Sequence, residues 1–228
     1  MGLVKIINGY ELDNYLKSRV SMGEDESVNA VVNEVIAAVR TEGDAAVRSY
    51  AERFEKSAPA KFEIPLDVAK EAWENLKTAE PDLAASLALA ADHIRRFAEL
   101  QKEQFWDFET EMAPGLFTGQ RVIPVERAAV YVPAGRFPLI SSALMGLIPA
   151  AVAGVGEKLL VSPPRDGGLP DRRILAAAYL AGANRFFAVG GAQAIAALAL
   201  GTGTIPRVDL IAGPGNAYVT AAKRLLFG

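Results

Sequence analysis

The chain has 228 residues, 51% of them apolar, with 24 basic against 27 acidic side chains and a net charge of −3. That length and composition allow one large or two small domains with a well-buried core. No basic block stands out, so neither nucleic acid nor an anionic membrane is the expected partner, and the absence of cysteine excludes disulfides, zinc ribbons and thiol catalysis.

The first half reads as helical. Val28, Val31, Val32, Val35, Ile36 and Val39 recur at i, i+3, i+4 spacing and predict one apolar stripe. Asp44 is placed to cap the next helix, whose inward face is predicted to be Val47, Tyr50, Ala51 and Phe54. Beyond Pro59 and Pro65, a stripe of Ala69, Ala72, Trp73 and Leu76 predicts another helix. A longer one follows Pro81, with Leu83, Leu87, Ala90, Ile94 and Phe97 along one side. These helices read as a packing scaffold. The only histidine, His93, falls on the long helix and reads as structural or solvent-facing.

Residues 107–125 alternate in places and predict short strands. From Arg127 onward, apolar runs alternate with alanine-rich segments. Strands are expected at 128–132, 158–161, 186–189 and 208–211, and helices at 141–155, 171–181, 192–200 and 216–227. This alternation predicts an α/β fold, a Rossmann-like parallel sheet flanked by helices and preceded by an N-terminal helical segment. The expected division is a helical segment at 1–120 and a Rossmann-like domain at 121–228. The longest apolar stretch, 139–155, is interrupted by Ser141, Ser142 and Pro149 and is too short to span a bilayer. With no basic-then-apolar leader legible, a cytoplasmic protein is expected.

Three glycine turns stand at the carboxyl ends of predicted strands: Pro133-Ala134-Gly135, Gly190-Gly191-Ala192-Gln193 and Gly213-Pro214-Gly215-Asn216. A strand, a glycine turn and a helix start leave backbone N–H groups pointing at whatever occupies the turn, a geometry suited to nucleotide phosphates. No ordinary G-x-G-x-x-G fingerprint is present, and glycines also serve simply to make tight turns. Both readings stay open on spacing alone.

The same residues carry a family resemblance. Tyr131-Val132-Pro133-Ala134-Gly135, Ser141-Ser142-Ala143-Leu144-Met145, Ser162-Pro163-Pro164, the Gly190 run, Ala199-Leu200-Gly201-Thr202 and Gly213-Pro214-Gly215-Asn216 occur in one order. Together they resemble histidinol dehydrogenase, the NAD-dependent enzyme that oxidises L-histidinol to L-histidine. The first half is similar more loosely, through Gly43-Asp44-Ala45-Ala46. The resemblance covers most of this chain and about half of the family's length.

It implies three NAD contacts: Tyr131 at a strand end, and Gln193 and Asn216 in the first turns of helices. The plainer reading of Asn216 is an N-cap serving its own helix. For Gln193, a polar residue in an otherwise apolar helix start, a functional role is favoured even apart from the family.

The resemblance also implies zinc and a glutamate–histidine acid–base pair, but the family's motifs for both follow the position of Gly228. No catalytic or metal-binding residue is therefore assigned here. The expectation is a truncated form limited to NAD binding, with histidinol oxidation requiring another chain to supply the missing half. Exposed apolar surface predicts self-association, with a homodimer as the expected form.

Ala134-Gly135 replaces the family's double glycine, and Arg136 and Phe137 replace a small pair. Arg136 resembles relatives that oxidise other alcohols such as sulfopropanediol. A paralogue acting on such an alcohol and a non-catalytic interaction module are the alternatives. Asp209 is read as capping, or as pairing with Lys223 or Arg207.

Overall fold

A computed structural model of the chain describes residues 8–20, 26–55, 59–134, 137–165 and 168–227. Gly135 and Arg136, singled out above, lie outside the described residues. The first half contributes α1 (Gly9–Val20), α2 (Glu26–Glu42), α3 (Asp44–Glu55), a two-residue strand β1 (Glu63–Ile64), α4 (Leu66–Ala79) and α5 (Pro81–Lys102). A hairpin of β2 (Phe108–Ala113) and β3 (Leu116–Gln120) follows. The second half then alternates: β4 (Arg127–Tyr131), α6 (Ile140–Ala153), β5 (Glu157–Ser162), α7 (Arg172–Leu180), β6 (Arg185–Ala188), α8 (Gly191–Leu200), β7 (Leu210–Ala212) and α9 (Ala217–Leu225).

The main sheet has the order β1-β6-β5-β4-β7. Its four strands from the second half are parallel. Counted among themselves, they run third, second, first, fourth, so the winding direction reverses between β4 and β7. Ligands of open α/β sheets bind beyond the carboxyl ends of the strands at such a reversal. The expected parallel sheet is present, and a fifth, antiparallel strand adds to its edge. β1 pairs antiparallel with β6, Glu63 opposite Phe187 and Ile64 opposite Phe186. Two residues are too few to announce a strand; pairing with a distant edge creates it. Arg185 ties that edge further, holding Glu63 through two nitrogens and reaching Glu157 on β5.

β4, β5 and β6 bury both faces, as strands under helices on either side must, whereas the edge strand β7 leaves Leu210 exposed. Ala129, Tyr131, Leu159, Val161, Phe187 and Val189 face one layer, which contains α2, α3, α8 and α9. Val130, Val132, Leu160, Phe186 and Ala188 face the other, made by α4, α5, α6 and α7. Both layers draw helices from either side of residue 120.

The stripe on α2 is buried as expected through Val32, Val35, Ile36 and Val39. Two aromatics placed inward by periodicity are instead exposed. Phe54 ends the α3 stripe beside an open cavity and stacks on Tyr50, while Phe97 lies on the outer side of α5. Asp44 opens α3, and its carboxylate accepts a hydrogen bond from the Thr204 hydroxyl. Of the two readings of Asp209, capping describes it: its carboxylate pairs with neither Lys223 nor Arg207 and accepts from the Arg127 amide at 2.9 Å, pinning the start of β4. His93 is exposed on α5. Among the described residues, no helix is long and apolar enough to cross a membrane.

Candidate functional site

A cavity of about 580 Å³ opens at the carboxyl edge of the sheet. One wall comes from the ends of the parallel strands and the turns that follow them: Tyr131, Pro133 and Ala134 after β4, Pro163 after β5, Gly191 to Gln193 after β6, and Asn216 and Tyr218 after β7. The opposite wall belongs to the helical first half, with Val31 and Val35 of α2 and Arg53, Phe54 and Glu55 from the last turn of α3. All three residues named as cofactor contacts, Tyr131, Gln193 and Asn216, therefore border one space. They approach it differently.

Tyr131 is the last residue of β4, and its position in the strand buries the ring on the α2/α8 side, leaving the residue 3% exposed. Its hydroxyl oxygen accepts from the Gly191 amide at 3.2 Å. Burial pushes its pKa up to about 12, the charge of Glu55 adding to that, so the phenol keeps its proton throughout the physiological range. Among the described residues, that proton has no acceptor.

Gln193 sits in the first turn of α8 and is 1% exposed. The turn before it requires glycine. Gly191 has a φ of +66°, and a Cβ there would lie 2.5 Å from the Gln193 carboxamide oxygen. The Gln193 amide nitrogen donates to the Glu55 carboxylate at 2.9 Å.

Asn216 is exposed and caps α9, its side-chain oxygen accepting from the Val219 amide at 3.0 Å. The N-cap reading thus holds, and Asn216 still borders the cavity. Behind it, Lys223 donates to the Gly213 carbonyl at 2.6 Å and holds the preceding turn closed.

The site has a member that sequence reasoning missed. Glu55 ends α3 and reaches across to the start of α8. One carboxylate oxygen, Oε1, accepts from the Gly190 amide at 2.8 Å as well as from Gln193. The other, Oε2, is buried and has no donor among the described residues. Burial raises the pKa of this carboxyl from 4.5 to about 7, outweighing the two hydrogen bonds, which act in the opposite direction. At neutral pH it is therefore divided between its two protonation states. No local pattern in the sequence marks it.

The cavity fits a dinucleotide in three respects: it lies at the sheet's reversal point, it is bordered by glycine turns at helix starts, and it contains an unsatisfied buried acceptor. Among the described residues, no three His, Asp or Glu side chains converge to hold a zinc ion.

These features define a doubly wound α/β protein with a ligand crevice at its topological switch point. The histidinol dehydrogenase sequence profile matches residues 18–228. The histidinol dehydrogenases of Methylococcus capsulatus and Aromatoleum aromaticum are 44% and 46% identical over 211 and 210 residues, covering 91% and 90% of this chain and 47% and 46% of theirs. The crystal structure of histidinol dehydrogenase from Elizabethkingia anophelis superposes with a TM-score of 0.78 at 33% identity, covering 86% of this chain and 44% of that one. The chain belongs to the histidinol dehydrogenase family and spans about half the length of the curated relatives it matches.

Proposed function

We propose that this chain forms the NAD-binding part of a cytoplasmic alcohol oxidoreductase of the histidinol dehydrogenase type. The convergence of Tyr131, Gln193 and Asn216 on one cavity at the sheet's reversal point supports this reading. In it, Tyr131 offers a hydroxyl proton, Gln193 a carboxamide already oriented by Glu55, and Asn216 an exposed amide at the start of α9. The bound cofactor supplies a hydride acceptor for alcohol oxidation. The side chains described here bind and orient it, and none of them is assigned as the base that the alcohol requires. Limitation of this chain to NAD binding, with zinc and acid–base groups supplied elsewhere, is part of the same proposal.

The test is a calorimetric titration of the chain with NAD, metal absent, comparing Asn216→Ala with Asn216→Ser. Serine preserves the cap, whereas alanine costs about 1 kcal/mol of stability. The proposal expects saturable binding that weakens in both variants. Weakening in alanine alone would reduce Asn216 to a helix cap, and no binding by the parent chain would overturn the nucleotide reading.

A further inference from the structure

We propose that Glu55 is the positioning residue of this site, a clamp whose negative charge fixes the Gly190 amide and the Gln193 carboxamide in the arrangement the nucleotide meets. This rests on the NAD-binding reading above. The location suits a carboxylate poorly. Glu55 is the last residue of α3, where the aligned backbone carbonyls disfavour an anion. Among the described residues, no cation forms an ion pair with it. One of its oxygens is buried without a donor, and such groups in folded proteins call for an explanation.

The gain is visible only at the far side of the cavity. The Gly190 and Gly191 amides at the start of α8 lack helical partners, and each ends on a side-chain oxygen, Glu55 for the first and Tyr131 for the second. The Gln193 side chain is tied to the same Glu55 oxygen. The turn and the first polar side chain of α8 are thus set from α3, across a sequence separation of 135 residues for Gly190 and 138 for Gln193. Hydrogen bonds to an ionised acceptor are about twice as strong as neutral ones. Protonating Glu55 leaves the geometry in place but slackens both bonds.

Among the described residues, Glu55 is the one carboxyl bordering the cavity. Its own helix brings Arg53 to the same space, β4 brings Tyr131, and the turn after β7 brings Tyr218. From α8 come the neutral Ala192 and Gln193, and from α2 Val31 and Val35. The tyrosine hydroxyl of Tyr131 stays protonated well beyond neutrality, so a transition near pH 7 belongs to Glu55.

The experiment follows two signals in the full chain from pH 5.5 to 8.5: the NMR resonances of the Gly190 amide and the Gln193 carboxamide, and the calorimetric affinity for NAD. Both are measured in the parent, Glu55→Gln and Glu55→Ala. In the parent, both resonances are expected to titrate with one midpoint near 7, and affinity to rise about tenfold through that midpoint. Glu55→Gln, which keeps an oxygen acceptor without charge, should be flat in both readouts and hold the parent's low-pH affinity. Glu55→Ala should bind more weakly than Glu55→Gln at every pH.

Resonances that do not titrate in the parent, that titrate equally in Glu55→Gln, or an affinity that falls with rising pH would each overturn the clamp. Resonances that titrate in the parent alone, with no NAD binding at any pH, would support the clamp and overturn the nucleotide reading instead.

Discussion

Gly213→Ala should be among the most damaging single changes in this chain, although it adds one methyl group. Two separable costs act there. The residue has a φ of +113°, which an L-residue adopts at a cost of about 1–3 kcal/mol. The added Cβ would also lie 2.0 Å from the carbonyl oxygen of Tyr131, a backbone atom that cannot rotate away. Relief requires a movement on the order of 1 Å, and the chain that must move is the end of β7 or of β4. Those strands are joined by three register pairs, Ala128–Leu210, Ala129–Ile211 and Val130–Ala212. Loosening them at about 1 kcal/mol per hydrogen bond brings the total to roughly 3–5 kcal/mol, a large part of the usual stability of a domain.

Gly43→Ala is the control. Its φ is +59° and nothing lies within 4 Å of the added atom, so it bears only the conformational cost. Urea unfolding of the two variants, followed by circular dichroism, measures the difference. Equal losses would refute the reasoning, because they would mean that the contact with Tyr131 is relieved at no cost.

Two further outcomes follow. The folded-state pKa of Glu55 lies above its ordinary value, so stability is fully present below about 4.5 and is lost as pH rises through about 7, amounting to roughly 3 kcal/mol. Glu55→Gln should remove that slope, becoming the more stable protein at pH 8.5 in urea unfolding; parallel pH profiles would contradict the burial argument. The β2–β3 hairpin exposes Phe108, Met112, Leu116 and Phe117 beside Phe105, Trp106 and Ile123. A two-stranded hairpin alone is marginal in water, so self-association is expected in sedimentation velocity and should diminish in Trp106→Glu. A monomer at every concentration tested would count against it.

What could be read from the sequence depended on how far apart the determinants lie. The parallel strands of the second half were legible because each is a short apolar run closed by a turn, and α8 and α9 because alanine-rich segments follow those turns. Tyr131, Gln193 and Asn216 were accessible through the resemblance, and Asn216 also through its position before a helix. The glutamate was not. An acidic residue after an amphipathic stripe reads as solvated, and only the arrival of Gly190 and Gln193 from 135 and 138 residues away changes its surroundings. Phe54 failed for a related reason: periodicity reports which face it lies on but not that the face ends at a cavity. β1 has too little local pattern to be seen, since its two residues become a strand by meeting β6.

The antiparallel pairing of β1 with β6 has a consequence for biosynthesis. Glu63 and Arg185, which join the two strands, are 122 residues apart, so the ribosome needs roughly 6–24 s to deliver the second after the first. During that interval the early helices carry a strand with no edge to join and a glutamate with no amide to hold. The N-terminal segment therefore leaves the exit tunnel as an unfinished surface, one that chaperones can occupy before β6 arrives to close it.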